Sequence, residues 1–199
     1  MSSLIPAYQL TATTPHLNNF ISTGRLNSRV YEIVDRLNPA FIFCNCAVIA
    51  YKLAHLLERG TLPKLGLLFS NLPRPMDGRD IIEQWPVLFS NLGLQRTYVH
   101  VENVDIEMLQ LMMKIHGRGT HAIVAGVYKN PIYADNFFRP VGHCWNYILD
   151  DEGKFIILDG YSRAYRRQAQ KNPERYLRQY QEKLEAILFF NTKNGPASL

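Results

Sequence analysis

The sequence predicts an α+β domain in which helices pack on an antiparallel sheet. Three observations carry this. Several segments space their apolar residues as one helix face between recognisable caps, and others run apolar or alternating over strand length. The stretch GHCWNYILDDEGKFIILDG, residues 142–160, joins two such runs through a turn cluster, which reads as a β-hairpin and so as an antiparallel pair. A chain of 199 residues, 47% hydrophobic and 20% charged, is one domain's worth of sequence with enough apolar material for a sizeable core.

Residues 1–25 are polar and turn-rich and are expected to form a partly ordered N-terminal arm, with a single folded domain over residues 26–199. In SRVYEIVDRL, Val30, Ile33, Val34 and Leu37 recur at helical spacing and Asn38-Pro39 stops the run. After the short apolar AFIF comes the clearest helix, NCAVIAYKLAHLLERG. Asn45 suits the N-cap, Ala47, Ala50, Leu53, Ala54 and Leu57 form the apolar face, and Gly60 suits C′. Pro63, Gly66, Pro73 and Pro75 mark the following stretch as loop. GRDIIEQWPVLFSNLG predicts a helix from Asp80, kinked at Trp85-Pro86. RTYVHVEN alternates as a strand, VDIEMLQLMMKIHGRG reads as a helix between Asp105 and Gly117, and THAIVAGVYK reads as a buried strand. The hairpin follows. NPERYLRQYQEKLEAILFF then predicts a C-terminal helix, capped by Asn172 with Pro173 in its first turn.

The formal net charge of +5 and pI near 9.1 are mildly basic, and no basic-aromatic motif accompanies them, so nucleic acid is not an expected partner. Basic residues gather at Arg163, Arg166, Arg167, Lys171, Arg175, Arg178 and Lys183. This C-terminal basic helix could meet an acidic partner or simply face solvent. The first twenty residues lack a basic n-region and a long apolar core, so no secretory signal peptide is expected, and no apolar run reaches the length of a membrane span. Three cysteines, two of them in a C-x-C, fit a reduced environment. They form a poor zinc pattern without a His-x3-His partner, and neither metal nor cofactor is expected.

The chemistry-bearing residues converge through the hairpin. Asp151-Glu152-Gly153 fits a three-residue loop ending in a left-handed glycine, which pairs Asp150 with Lys154 and, counting outward, Trp145 with Asp159 and His143 with Tyr161. His143 and Asp159 then form a diagonal pair on one face, with backbones about 7–8 Å apart, close enough for an imidazole–carboxylate hydrogen bond. Trp145 and Tyr147 share that face, as aromatic packing or as a wall that excludes water. The nucleophile that such a base requires is Cys46, the first residue of the helix capped by Asn45. Free N–H groups and the helix dipole there favour a thiolate and a developing oxyanion. Cys44 is the alternative, with the Asn38 amide six residues upstream as an oxyanion donor. Cys144, beside His143 on a strand, points to the opposite face.

Together Asn45-Cys46 opening an Ala-rich helix that ends at Gly60, Gly142-His143 with Asn146, and Asp159-Gly160 resemble the papain-like bacterial toxin and effector family that includes glutamine deamidases. The resemblance spans residues 38–162. It departs from many members at Ile49, where they carry a second cysteine, and at Tyr161, where they carry glutamine. It implies a papain-like cysteine hydrolase fold for residues 26–199 and a Cys46-His143-Asp159 triad; Asn45, Trp145 and Tyr161, neighbours of these residues, are the expected substrate contacts. The implied activity is deamidation of a glutamine in a protein of a host or rival cell by a secreted, monomeric effector acting in the target-cell cytoplasm. A cysteine protease, a transglutaminase-like acyltransferase and a non-enzymatic adaptor are the alternatives.

Overall fold

The computed structural model describes residues 21–22, 25–26, 32–34, 37, 46–59, 98–129, 142–150 and 152–189. Ile21–Ser22 (β1) and Arg25–Leu26 (β2) pair as a minimal antiparallel ladder, so the expected arm carries a short piece of sheet. Residues 32–34 and 37 are helical, within the first predicted helix. The expected loop of residues 61–75, the helix from Asp80, Asn38, Cys44, Asn45 and Gly60 lie outside the described residues.

Cys46–Arg59 forms helix α1, Tyr98–Val104 strand β3, Ile106–His116 helix α2, His121–Tyr128 strand β4, Gly142–Leu149 strand β5 and Phe155–Leu158 strand β6. Helices Arg163–Lys171 (α3) and Pro173–Leu177 (α4) follow, and Tyr180–Phe189 is strand β7. Strands β3 to β7 make a five-stranded sheet in the order β3-β7-β4-β5-β6, every pair antiparallel. The class is therefore α+β, with helices on both faces of the sheet.

Alternation along the strands divides the core. Val124, Trp145, Tyr147, Leu149, Ile157, Leu184, Ala186 and Leu188 face α2, α3 and α4, where they meet Leu109, Met113, Ala169 and Tyr176. Ile123, Cys144, Ile187 and Phe189 face the other way, onto Ala47, Ala50, Tyr51 and Ala54 of α1. The opposite stripe of α1, Ile49, Leu53, Leu56 and Leu57, covers Ile148 and Leu158 and reaches Val34. Each fully buried aliphatic side chain of this kind contributes about 1.5–3 kcal/mol of transfer free energy. That is why α1 sits down so firmly although nothing acidic stands in its first turn.

Two local elements match the sequence reading closely. Asp105 caps α2 by accepting from the Met108 amide at 2.8 Å, and Gly117 ends it at φ 88°. The β5–β6 turn closes as Asp150 N donates to Lys154 O at 2.9 Å, Asp150 Oδ1 accepts from Glu152 N and Lys154 N, and Gly153 takes φ 78°.

One element differs. The C-terminal helix expected over residues 172–190 ends at Leu177, after the predicted Asn172 cap and Pro173 start. Tyr180–Phe189 is instead β7, and it lies between β3 and β4. Glu182, Lys183, Leu184, Glu185 and Ala186 carry good helix propensity, yet both faces of this strand meet buried apolar layers, and packing overrides a preference of a few tenths of a kcal/mol per residue. The basic residues therefore do not share one helix. They are divided among α3, α4 and β7, where Arg166 is buried, Arg178 pairs with Glu174 at 3.5 Å and Lys183 with Asp105 at 3.7 Å. No helix among the described residues is long and apolar enough to cross a membrane.

Candidate active site

The observed register, Asn146↔Leu158 through Leu149↔Phe155, is the one that a three-residue loop imposes. Carried outward, it sets Trp145 opposite Asp159 and His143 opposite Tyr161. His143 and Asp159 consequently share the face covered by α3 and α4, and His143 Nε2 lies 2.7 Å from Asp159 Oδ2 with both side chains buried.

A buried carboxylate is costly unless its oxygens are satisfied. Asp159 meets that requirement three times: His143 Nε2 at Oδ2, the Tyr176 hydroxyl donating to Oδ2 at 2.7 Å, and the Tyr161 amide donating to Oδ1 at 2.9 Å. The carboxylate is fixed from β5, from its own turn and from α4 at once. Nothing in the sequence marks Tyr176. Its i+3 position after Pro173 looks like helix packing, and only the short α4, folded back over the sheet, brings its hydroxyl to Asp159.

Aromatic rings enclose the imidazole. Tyr165 lies 4.8 Å from the His143 ring, Tyr161 meets it edge-on at 5.4 Å, and Trp145 and Tyr180 stack near it at 6.3 and 6.4 Å. Burial alone would favour the neutral ring, but the Asp159 charge, its hydrogen bond and the Cys46 thiol outweigh it and push His143 up to about 10. The predicted substrate-binding pair, Trp145 and Tyr161, thus stands beside His143, and both residues are themselves buried.

Cys46 is the first residue of α1 and keeps partial exposure. Its thiol is held well below the ordinary range, first by a hydrogen bond from the Cys144 thiol and then, against the penalty of burial, by His143. β6 pairs with β5 only from Asn146 onward. The first residues of β5 therefore project beyond β6; Cys144 packs in the cluster at the start of α1, and His143, on the alternate face, helps hold the Cys46 thiol down. Asn146 secures that placement by donating from Nδ2 to the Ala50 carbonyl at 2.9 Å, a cross-link between helix and strand that the sequence does not announce. Gly160 lets the turn after β6 come close to α1, since a Cβ there would stand 2.6 Å from Ile49 Cγ2 and 2.8 Å from Leu53 Cδ1.

Among the described residues, the other histidines lie away from this pair, His116 at the end of α2. His121 stacks on Phe189 at 4.7 Å, His100 lies near Glu102 and Glu185, and His55 is half-buried along α1. Among the described residues no group of three or more His, Cys, Asp or Glu side chains could hold a metal ion.

No family model matches the chain, and no curated protein or solved structure matches it.

Proposed function

We propose that the chain is a papain-like cysteine hydrolase and, on the sequence resemblance, a secreted bacterial effector that deamidates a protein glutamine in a target cell. The observation that carries the catalytic reading is the buried His143–Asp159 pair within reach of a thiol at a helix N-terminus. With Nε2 taken by the carboxylate, Nδ1 is the ring nitrogen left for Cys46.

The thiolate of Cys46 attacks the side-chain carboxamide carbon, and the carbonyl π electrons move to oxygen. Unpaired backbone N–H groups in the first turn of α1 stabilise that oxyanion. His143, as the imidazolium, gives its proton to the leaving nitrogen, the C–N bond breaks, and ammonia departs from a thioester. The imidazole then takes a proton from water, hydroxide adds to the thioester carbon, and collapse expels Cys46 and leaves glutamate. Asp159 holds the ring orientation throughout and favours its charged form. Trp145, Tyr161 and Tyr165 limit water around the ring, which strengthens each of these interactions.

The test is iodoacetamide labelling at about pH 6, mapped by mass spectrometry, where ordinary thiols are mostly protonated. Wild-type Cys46 should label at least tenfold faster than Cys144, and His143→Ala should remove most of that advantage. Rapid labelling at Cys44 instead would move the nucleophile. Uniformly slow labelling that is indifferent to His143 would remove the enzymatic reading. Ammonia release from a target-cell lysate without protein fragmentation separates deamidation from proteolysis.

A further inference from the structure

Cys144 follows His143 on β5, and its side chain therefore turns to the opposite face, beneath the first turns of α1. It is buried there with Ala47 and Ala50, and Cys46 packs against the same cluster. Each thiol shifts the ionisation of the other, Cys144 holding Cys46 down and Cys46 holding Cys144 up. Both are free, Cys144 is almost fully covered and Cys46 is partly open to solvent.

We propose that Cys46 and Cys144 are a redox pair that closes to a disulfide on exposure to hydrogen peroxide and so turns the centre off. The inference rests on Cys46 being the thiolate of the proposed site, and it deepens that reading by naming its regulation.

The steps balance. The Cys46 thiolate attacks one peroxide oxygen, the O–O bond breaks, hydroxide leaves, and Cys46 becomes a sulfenic acid. Cys144 then loses its proton and attacks the Cys46 sulfur. The S–S bond forms, the S–O bond breaks, and the departing hydroxide leaves as water. Across both steps two thiols give up two electrons and two protons, and one peroxide becomes two waters.

The environment orders these events. Cys46 is the less covered of the two residues, so peroxide reaches it first. The Cys144 thiol is held well above its ordinary range, first by its hydrogen bond to Cys46 and then by burial, so it stays protonated while Cys46 carries the negative charge. Oxidation of Cys46 to the sulfenic acid removes that charge and frees Cys144 to ionise and attack. The product has no nucleophile, and because a neighbouring thiol resolves the sulfenic acid, Cys46 is spared irreversible over-oxidation.

The experiment treats the full chain with a slight excess of hydrogen peroxide, blocks remaining thiols, digests without reductant and maps the peptides by mass spectrometry. The expected result is a linked peptide pair joining Cys46 to Cys144, lighter than the two free peptides by two hydrogens. Dithiothreitol should cleave it and restore rapid iodoacetamide labelling of Cys46. In Cys144→Ser the same treatment should drive Cys46 to the sulfinic acid, with two added oxygens that dithiothreitol does not remove. Over-oxidation of wild-type Cys46 at the rate seen in Cys144→Ser would overturn the pair, as would a link from Cys46 to Cys44. The wild-type peptide map decides the matter even where the variant folds poorly. Fast labelling of Cys46 without a link to Cys144 defeats the redox pair alone, whereas a Cys46 that neither labels nor oxidises defeats the nucleophile as well.

Discussion

At the level of single residues, the most consequential atom is Asp159 Oδ2, which receives both His143 Nε2 and the Tyr176 hydroxyl. Its charge is a main reason why the His143 ring stays protonated far above the usual 6.5, to about 10, inside a buried site. A raised folded-state pKa stabilises the protein fully below the unfolded value and loses that contribution as pH rises through the folded one. Asp159→Asn removes the charge while keeping the shape. The melting-temperature gap between wild type and Asp159→Asn should be widest near pH 6 and narrow steadily towards pH 10, when followed by circular dichroism across that window. A gap that stays constant with pH would mean that Asp159 acts only as a hydrogen-bond acceptor in the fold.

At the level of elements, the turn after β6 and the first half of α1 are interlocked through Gly160. A methyl group there meets Ile49 and Leu53, which are both buried, so side chain or backbone must shift to admit it. Gly160→Ala should cost about 1–3 kcal/mol in urea unfolding. It should also slow Cys46 labelling at about pH 6, because the helix start moves away from His143. Unchanged stability would show that α1 yields there without penalty.

The hairpin shows how much of this site was legible in advance. Asp151-Glu152-Gly153 specifies a loop length, loop length specifies register, and register puts His143 and Asp159 on one face, so a short stretch of sequence determined a tertiary contact. Cys46 at a helix start was legible from its neighbours for the same local reason. What escaped was non-local. The bond from Tyr176 to Asp159 and the meeting of Cys144 with Cys46 depend on which helix covers which face, and no periodicity encodes that. β7 escaped because no glycine or proline separates it from α4, and because Glu185, Ala186 and Leu188 prefer helix until both faces are packed.

At the level of the whole molecule, β7 bonds to β3 on one side and β4 on the other. Its side chains enter both halves of the core, with Leu184, Ala186 and Leu188 on one face and Ile187 and Phe189 on the other. A chain ending after Arg178 would leave the β3 and β4 edges unpaired and both apolar layers open. Such a truncation should lose the cooperative melting transition and be digested by limited proteolysis under conditions that leave the full chain intact. Protection equal to that of the full chain would mean that β3 and β4 find each other directly.

The position of β7 has a consequence for the order in which the molecule matures. The chain is synthesised from its N-terminus, so Cys46, His143 and Asp159 all exist before the strand that closes the sheet around them. Tyr176, which donates to the carboxylate, lies four residues before the start of that strand. A nascent chain halted between Asp159 and Tyr180 carries all three side chains without the strand that completes the sheet. Alignment of these side chains is therefore among the last events of folding.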